Sequence, residues 1–426
     1  MKRVALFPGQ GAYIPGVFAH VKPTDGIGEL LSIIDKNAQQ YGVEPLSPLL
    51  MDTDAPSIDD LVGDSCRLNL VLYAASQALL EILGSHQKRF DVLVGHSGGE
   101  ITALAAAGAL TVPDAIRVIY ERTRALMEAD LPEAGMLAVE ASASRTSELI
   151  GDITSGHPAI AACNAPRQTV VSGTMEAIVQ LETRARELGL RTSRLATPHP
   201  FHNPLLSEAG RRFTEAIADI NLHEPRQRVY SPILQQDITD VILARHLLSQ
   251  HFTAPVNFVA ALRHLHDEGA EEFVECGAGQ ALTGLVQQCL PGTVRAVAPL
   301  ARRDDAGRII ELTTGEPAMP DTQAAESAPP GAAAAADNRS AVLDTLRQIF
   351  VEVVGYPAEV FTYDAELEAE LGISSVKQLE AFGRILKQYD LPAPSAGIRI
   401  RSYRTLSQLA DLVAEIADSA AAVGRS

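Results

Sequence analysis

The residues best placed to do chemistry are Gly95-His96-Ser97-Gly98-Gly99-Glu100, which follow the apolar run Val92-Leu93-Val94 and open a helix-compatible stretch from Ile101 to Leu110. This pattern is that of a nucleophile elbow. A serine on a tight strand-to-helix turn is held clear of its own backbone, and glycines two residues before and after it let the chain turn and the helix pack on the strand. The helix that follows supplies backbone N–H groups and the positive end of its dipole to a developing oxyanion. The pattern alone is short. An apolar strand on one side and a helical run on the other give it weight.

Four further segments fall in order along the chain. Val4-Ala5-Leu6-Phe7 reads as a buried strand ending in Pro8-Gly9-Gln10-Gly11, a loop whose glycines let backbone amides approach a ligand. Asn164-Ala165-Pro166, then His199-Pro200-Phe201-His202-Asn203-Pro204, then Gly277-Ala278-Gly279 complete the set. The histidine segment is too rich in proline to be helix interior. Its two histidines stand three apart, but Pro200 argues against a helix that would align their rings. No carboxylate or cysteine cluster lies nearby, so no metal site is expected.

Together these motifs resemble the malonyl-CoA:acyl carrier protein transacylases and the acyltransferase domains of polyketide synthases, from about Lys2 to about Leu300. The resemblance implies a ping-pong acyl transfer from a coenzyme A thioester, with Ser97 as nucleophile and His202 as general base. It also implies oxyanion-hole amides from Gln10 and Gly98, and a backbone carbonyl at Asn257, in Pro255-Val256-Asn257-Phe258, orienting the histidine. That makes a dyad rather than a triad. Asn164 is implied in the wall of the active site, and Phe201 belongs to a Phe-His-Asn-Pro-Leu stretch matching the family's Phe-His-Ser-Pro-Leu.

Arg122, in Tyr120-Glu121-Arg122-Thr123-Arg124, lies 25 positions past Ser97, where the family keeps an arginine for the substrate carboxylate. A guanidinium is a planar fork matched to a carboxylate, so it would favour a malonyl-type group over a simple acyl group. Taken by itself, an arginine on an amphipathic helix reads as solvated. Arg124 faces elsewhere and is read as structural. Two departures bear on the acyl group and point different ways. Gly98 removes a side chain that would bound the acyl pocket, leaving room for an alpha substituent, whereas His199-x-Phe201-His202 is close to the pattern associated with plain malonyl. Leu68-Asn69-Leu70 stands where the family has a glutamine followed by proline.

These residues must be held by a scaffold, and strands alternate with helical stretches up to Leu300, the pattern of an α/β layer fold. The pattern changes at residues 134–196. Strands at Met136–Val139, Thr169–Ser172 and near Arg194 flank helices at Ser142–Ile150 and Met175–Leu188. The resemblance implies an α/β-hydrolase-like core over residues 1–303 with a small ferredoxin-like subdomain at 134–196, the active site lying beside it. Residues 304–338, with the run Ala332–Ala336, read as a flexible linker spanning about 30–35 Å.

Residues 339–420 read as a small helical bundle. Val342, Leu346, Ile349, Phe350 and Val353, then Val376, Leu379, Phe382 and Ile385, then Leu406, Leu409, Leu412, Val413 and Ile416 recur at helical spacing. Leu371-Gly372-Ile373-Ser374-Ser375-Val376-Lys377 resembles the start of the modified helix of an acyl carrier protein. Ser375 falls where that family carries 4′-phosphopantetheine, a phosphodiester suited to a helix N-terminus. Ser374 replaces the usual aspartate and could instead cap the helix. Asp364, Glu366, Glu368 and Glu370 match the family's partner-binding charge, or form a solvated acidic face. The partners implied are an acyl-CoA, acyl carrier protein domains in cis or trans, and a phosphopantetheinyl transferase.

The chain has 426 residues and a net charge of −18, which argues against a nucleic-acid partner and against anionic membranes. Cys66, Cys163, Cys276 and Cys289 are scattered as reduced thiols would be. No apolar stretch reads as reaching the ~20 residues that span a bilayer, so a cytoplasmic protein is expected. Three alternatives remain beside acyl transfer from coenzyme A: a hydrolase that clears carriers, carrier-to-carrier transfer, and a non-catalytic scaffold.

Overall fold

The computed structural model describes residues 2–301 except 20, 22–25 and 62. Beyond them it describes residues 333–354, 375–389 and 406–423, with nine single residues: 309, 361, 363, 367, 371, 373, 391, 403 and 405. The chain divides into two units, Met1–Ala318 and Met319–Ser426.

The first unit is built on two sheets. Strands β1 (Lys2–Phe7) and β2 (Val92–Gly95) belong to a six-stranded sheet, and β3 (Ala134–Val139), β4 (Ala159–Ala165), β5 (Gln168–Thr174) and β6 (Thr192–Arg194) to a five-stranded one. β7 (Val229–Ser231) and β8 (Gln236–Asp237) return to the larger sheet, β9 (Val256–Asn257) joins the smaller, and β10 (Ala270–Glu275) and β11 (Arg295–Val297) complete the larger.

The larger sheet runs β11-β10-β1-β2-β7-β8, parallel except for the β7–β8 edge pair. Its central strands are continuous apolar runs, as expected for strands covered on both faces. Val4 through Phe7 and Val92 through Val94 are fully buried. Phe7 pairs with Gly95, so the loop after β1 and the turn after β2 leave the same end of neighbouring strands. That end is where ligands gather in open α/β sheets.

The smaller sheet runs β6-β3-β5-β4-β9. Helices Ala143–Gly151 and Met175–Glu187 lie between its strands, close to the expected bounds, and their starts are capped by the Ser142 and Thr174 hydroxyls. The sequence reading missed β4. Asn164-Ala165-Pro166 looks like a turn, yet Asn164 and Ala165 finish a strand whose run Ala159–Ala165 is mostly alanine, a weak strand former by itself. Antiparallel pairing with β5 and parallel pairing with β9 override that weak preference.

One expectation is corrected. Helix Ser65–Ser85 is 21 residues long and apolar enough to cross a membrane by length and composition alone. Here it is a core helix, with Leu70, Val71, Tyr73, Ala78, Leu79 and Leu83 buried. Polar Asn69, Ser76 and Gln77 interrupt its apolar run.

Among the described residues the second unit has three helices, Ala333–Val354, Ser375–Gln388 and Leu406–Val423, around a core of Leu346, Phe350, Phe361, Phe382, Ile385 and Leu409. The first begins within the segment read as linker, because an alanine run is the strongest of helix formers and extends the helix that follows. Residues 310–332, Ser374, the four acidic residues at 364–370, and the side chains of Ser375, Val376 and Leu379 lie outside the described residues.

Candidate active site

The turn after β2 carries Ser97 in a left-handed conformation, φ +53°, which costs a non-glycine residue about 1–3 kcal/mol and persists only where its surroundings enforce it. The neighbouring glycines enforce it. A Cβ on Gly95 would lie 2.1 Å from the Glu100 nitrogen, and one on Gly99 would lie 2.0 Å from the Phe7 oxygen. Only glycine permits helix Gly99–Ala106 to start so close to β1. Behind the turn, Glu100 is buried, and its carboxyl oxygens accept from the Ser231 hydroxyl and the Ile233 amide. Burial pushes its pKa up to about 8.

Ser97 Oγ stands 2.7 Å from His202 Nε2, and His202 Nδ1 stands 2.8 Å from the carbonyl oxygen of Ala254. Donation from Nδ1–H to that carbonyl leaves Nε2 as the acceptor facing the serine, the tautomer a general base requires. The orienting carbonyl is therefore Ala254, not Asn257. Asn257 begins helix Phe258–Asp267 and its carbonyl accepts from Gln235 Nε2, so it is committed elsewhere. Burial above all, with the Arg122 and His96 charges beyond it, pulls the His202 pKa down to about 3. The imidazole is neutral at physiological pH.

The segment His251–Ala254 frames the site. The Phe252 carbonyl accepts from the Asn203 amide at 3.1 Å, beside His202, and Asn203 Nδ2 donates to the His157 and Ser172 carbonyls near and on the smaller sheet. His202, like Ser97, is left-handed, with φ +57°. Its loop is thus pinned from both sides.

Arg122 is buried, 4% exposed, and among the described residues no carboxylate pairs with it. Its Nε donates to His251 Nδ1 at 3.2 Å, and its guanidinium carbon lies 5.3 Å and 5.5 Å from the ring centres of Phe201 and Phe252. Burial lowers its pKa to about 10, so it stays charged. The solvated-arginine reading fails for Arg122 and holds for Arg124, which pairs on the surface with Glu121 and Glu128. Phe201 therefore lies beside the arginine.

Arg122 lines a cavity of about 30 Å³ together with Gln10, Asn69, Tyr73, Gly98 and Thr102. A Cβ added to Gly98 would meet nothing within 4 Å, so the missing side chain is open space. Asn164 is not among the lining residues. Its Oδ1 accepts from His96 Nε2 at 2.8 Å and so steadies the residue before Ser97, tying β4 to the turn. Gly277 sits where an added Cβ would come 2.3 Å from Pro8, which makes it a packing partner of the Gln10 loop.

Sequence reasoning missed Ala254, His251 and Tyr73. A backbone carbonyl leaves no residue signature, and His251 looks like any core histidine. Asn69, Leu72 and Tyr73 do share one helical face at i, i+3, i+4.

The chain matches the acyl transferase domain family over residues 20–322 and the phosphopantetheine attachment site family over residues 344–413. It belongs to the acyl transferase family. The second match supports a fused C-terminal carrier-type region. It is 32% identical over 302 residues, 68% of this chain, to the polyketide synthase GfsB of Streptomyces halstedii, of whose length it spans 5%. Among solved structures it is similar to the acyl-carrier-protein S-malonyltransferase of Burkholderia pseudomallei (25% identity, TM-score 0.66), covering 74% of this chain and 99% of that one. It is also similar to the acyltransferase domain from module 8 of the salinomycin polyketide synthase (27% identity, TM-score 0.67), covering 74% and 76%.

Proposed function

We propose that this acyltransferase moves a malonyl-type dicarboxylic acyl group from a coenzyme A thioester, through an ester on Ser97, to the thiol of a carrier-bound phosphopantetheine in polyketide or fatty-acid-type synthesis. The observation that carries the reading is Arg122, a buried cation without a carboxylate partner, in the cavity that Gln10 and Gly98 also line. A buried unpaired charge is costly, and a substrate carboxylate in the fork offsets that cost.

Ser97 Oγ attacks the thioester carbonyl while His202 Nε2 takes its proton. The tetrahedral oxyanion is held by the Gln10 and Gly98 amides. Collapse breaks the C–S bond, and the proton passes from His202 to the departing thiolate. In the second half the carrier thiol gives its proton to His202, attacks the Ser97 ester and releases the serine, which regains the proton. His202 is suited to this because it is neutral and correctly oriented when each half begins.

We read the larger sheet as an α/β-hydrolase-like core, and the β-α-β-β-α-β order of β3 to β6 as a ferredoxin-like subdomain within residues 134–196. Residues 304–338 tether the carrier region, 339–420. The match to the phosphopantetheine attachment family supports Ser375, the first residue of helix Ser375–Gln388, as the attachment point for a phosphopantetheinyl transferase.

The test is intact and peptide mass spectrometry of the full chain after incubation with acetyl-, malonyl- and methylmalonyl-CoA. Retention of a dicarboxylic acyl group on Ser97, passed to a holo-carrier, is the expected result. Rapid release of the free acid to water, or no adduct on Ser97, would overturn the reading.

A further inference from the structure

The cavity contains a polar group with no part in the transfer steps above. Tyr73, on helix Ser65–Ser85, is 1% exposed, lines the same cavity as Gly98 and Arg122, and has a buried hydroxyl with no hydrogen-bond partner among the described residues. Burial raises its pKa, so the phenol is a neutral donor and acceptor. Leaving such a group unsatisfied is unfavourable, and a site built around it favours a ligand that completes the bond. By contrast, Asn69 and Gln10 beside it are engaged. Asn69 Nδ2 donates to the Ser65 carbonyl and the Thr123 hydroxyl, while its Oδ1 accepts from Gln10 Nε2. Leu72, Ile101 and Ile119 supply apolar lining.

This inference rests on the proposed transfer of a dicarboxylic group. Gln10, Gly98, Arg122 and Tyr73 line one cavity, so with one carboxylate in the Arg122 fork and the thioester carbonyl at the Gln10 and Gly98 amides, a substituent on the carbon between them would face it. The vacancy at Gly98 leaves room there. We propose that the Tyr73 hydroxyl is a specificity-determining group that hydrogen-bonds an oxygen on the alpha carbon of the acyl group, so that the site takes a 2-hydroxymalonyl unit in preference to its methyl-substituted counterpart.

The experiment compares wild type with Tyr73→Phe, which removes one oxygen and keeps the ring. The full chain is offered 2-hydroxymalonyl-CoA and methylmalonyl-CoA separately, and kcat/KM for loading Ser97 is read by mass spectrometry. Wild type is expected to favour the hydroxylated group by about tenfold, and the variant to lose that preference by a similar factor. The ratio carries the test, whatever happens to absolute rates. A wild type without the preference, or an unchanged ratio in the variant, overturns the inference and leaves the hydroxyl to bound water. Malonyl-CoA serves as the control. Loading of malonyl without discrimination sinks this inference alone, whereas failure of every dicarboxylic group to load Ser97 sinks the transfer reading and this inference with it.

Discussion

Ser97 precedes helix Gly99–Ala106 by two residues, held left-handed and 2.7 Å from a histidine, whereas Ser375 is the first residue of helix Ser375–Gln388 in the C-terminal unit. Both serines stand where backbone amides favour negative charge. The difference lies in what surrounds the first: two glycines that admit no side chain, a buried glutamate behind the turn, and a base pinned through Asn203 and Ala254. A hydroxyl that must attack needs its geometry fixed in advance. In the role proposed for it, Ser375 only anchors an arm, and such a hydroxyl needs a helix start that a modifying enzyme can reach, since the reacting thiol would lie at the far end of the arm.

The sharpest way to break this contrast is to delete each oxygen. Ser97→Ala should abolish the acyl-enzyme, because no neighbouring hydroxyl is aimed by the turn. Ser375→Ala should abolish the phosphopantetheine mass gain on co-expression with a broad-specificity transferase, while Ser97 still loads from coenzyme A thioesters. Mass spectrometry reads both. Persistent acylation of the Ser97→Ala chain at this domain, or modification of Ser374 in place of Ser375, would show that the two roles are wrongly assigned.

A smaller effect separates recognition from chemistry within the first site. Arg122→Ala should lower the malonyl-to-acetyl ratio of kcat/KM by about 100-fold, since only the dicarboxylic substrate loses two charge-assisted hydrogen bonds of roughly 1.5 kcal/mol or more each. Acetyl loading should be spared or improved. An unchanged ratio would leave the unpaired buried cation without a purpose.

How much of this was visible in the chain follows from where the information resides. The elbow, the Gln10 loop and Arg122 are legible because glycine at a forbidden approach, a loop after a buried strand and a forked cation each demand a residue type. Helices Ala143–Gly151 and Met175–Glu187 are legible through capping hydroxyls and periodicity. Strand β4 is not, because pairing rather than composition makes it a strand. Ala254 is illegible for a related reason: any residue supplies a carbonyl, and which one meets His202 Nδ1 is decided by how the segment leaves helix Val241–Gln250 before β9. Asn257 was the nearest position with a family signature, and the fold uses its carbonyl for Gln235.

The base itself offers a gentler test through pH. In the proposed mechanism His202 must be neutral to accept the serine proton, so activity is expected to disappear as pH falls through its folded pKa, about 3. Single-turnover kcat/KM for Ser97 acylation should therefore stay nearly flat from pH 8 to about 5, with the acid limb well below the ordinary imidazole value near 6.5. Because the Arg122 charge helps to depress that pKa, Arg122→Ala should move the limb upward. A wild-type limb centred near 6.5 would mean that the base is solvated and that the framing by residues 251–254 is looser than it looks.

The smallest expected effect lies behind the nucleophile. Glu100 has a folded pKa of about 8 against 4.5 for the ordinary carboxyl. Between those values the folded state holds a proton that the unfolded chain releases. The stability contributed by this group is therefore present below about pH 4.5 and is lost as pH rises towards 8. Glu100→Gln keeps the shape, accepts from the Ile233 amide through its oxygen and donates to the Ser231 hydroxyl through its nitrogen, while removing the titration. The variant should resemble wild type below about pH 4.5 and gain on it as pH rises, by roughly 2 kcal/mol between pH 6 and pH 8 alone, as read by urea unfolding at each pH. A constant difference between the two proteins across that range would mean that the Glu100 carboxyl is already ionised in the fold. The turn that strains Ser97 would then stand on a buried anion rather than on a neutral, fully hydrogen-bonded carboxylic acid.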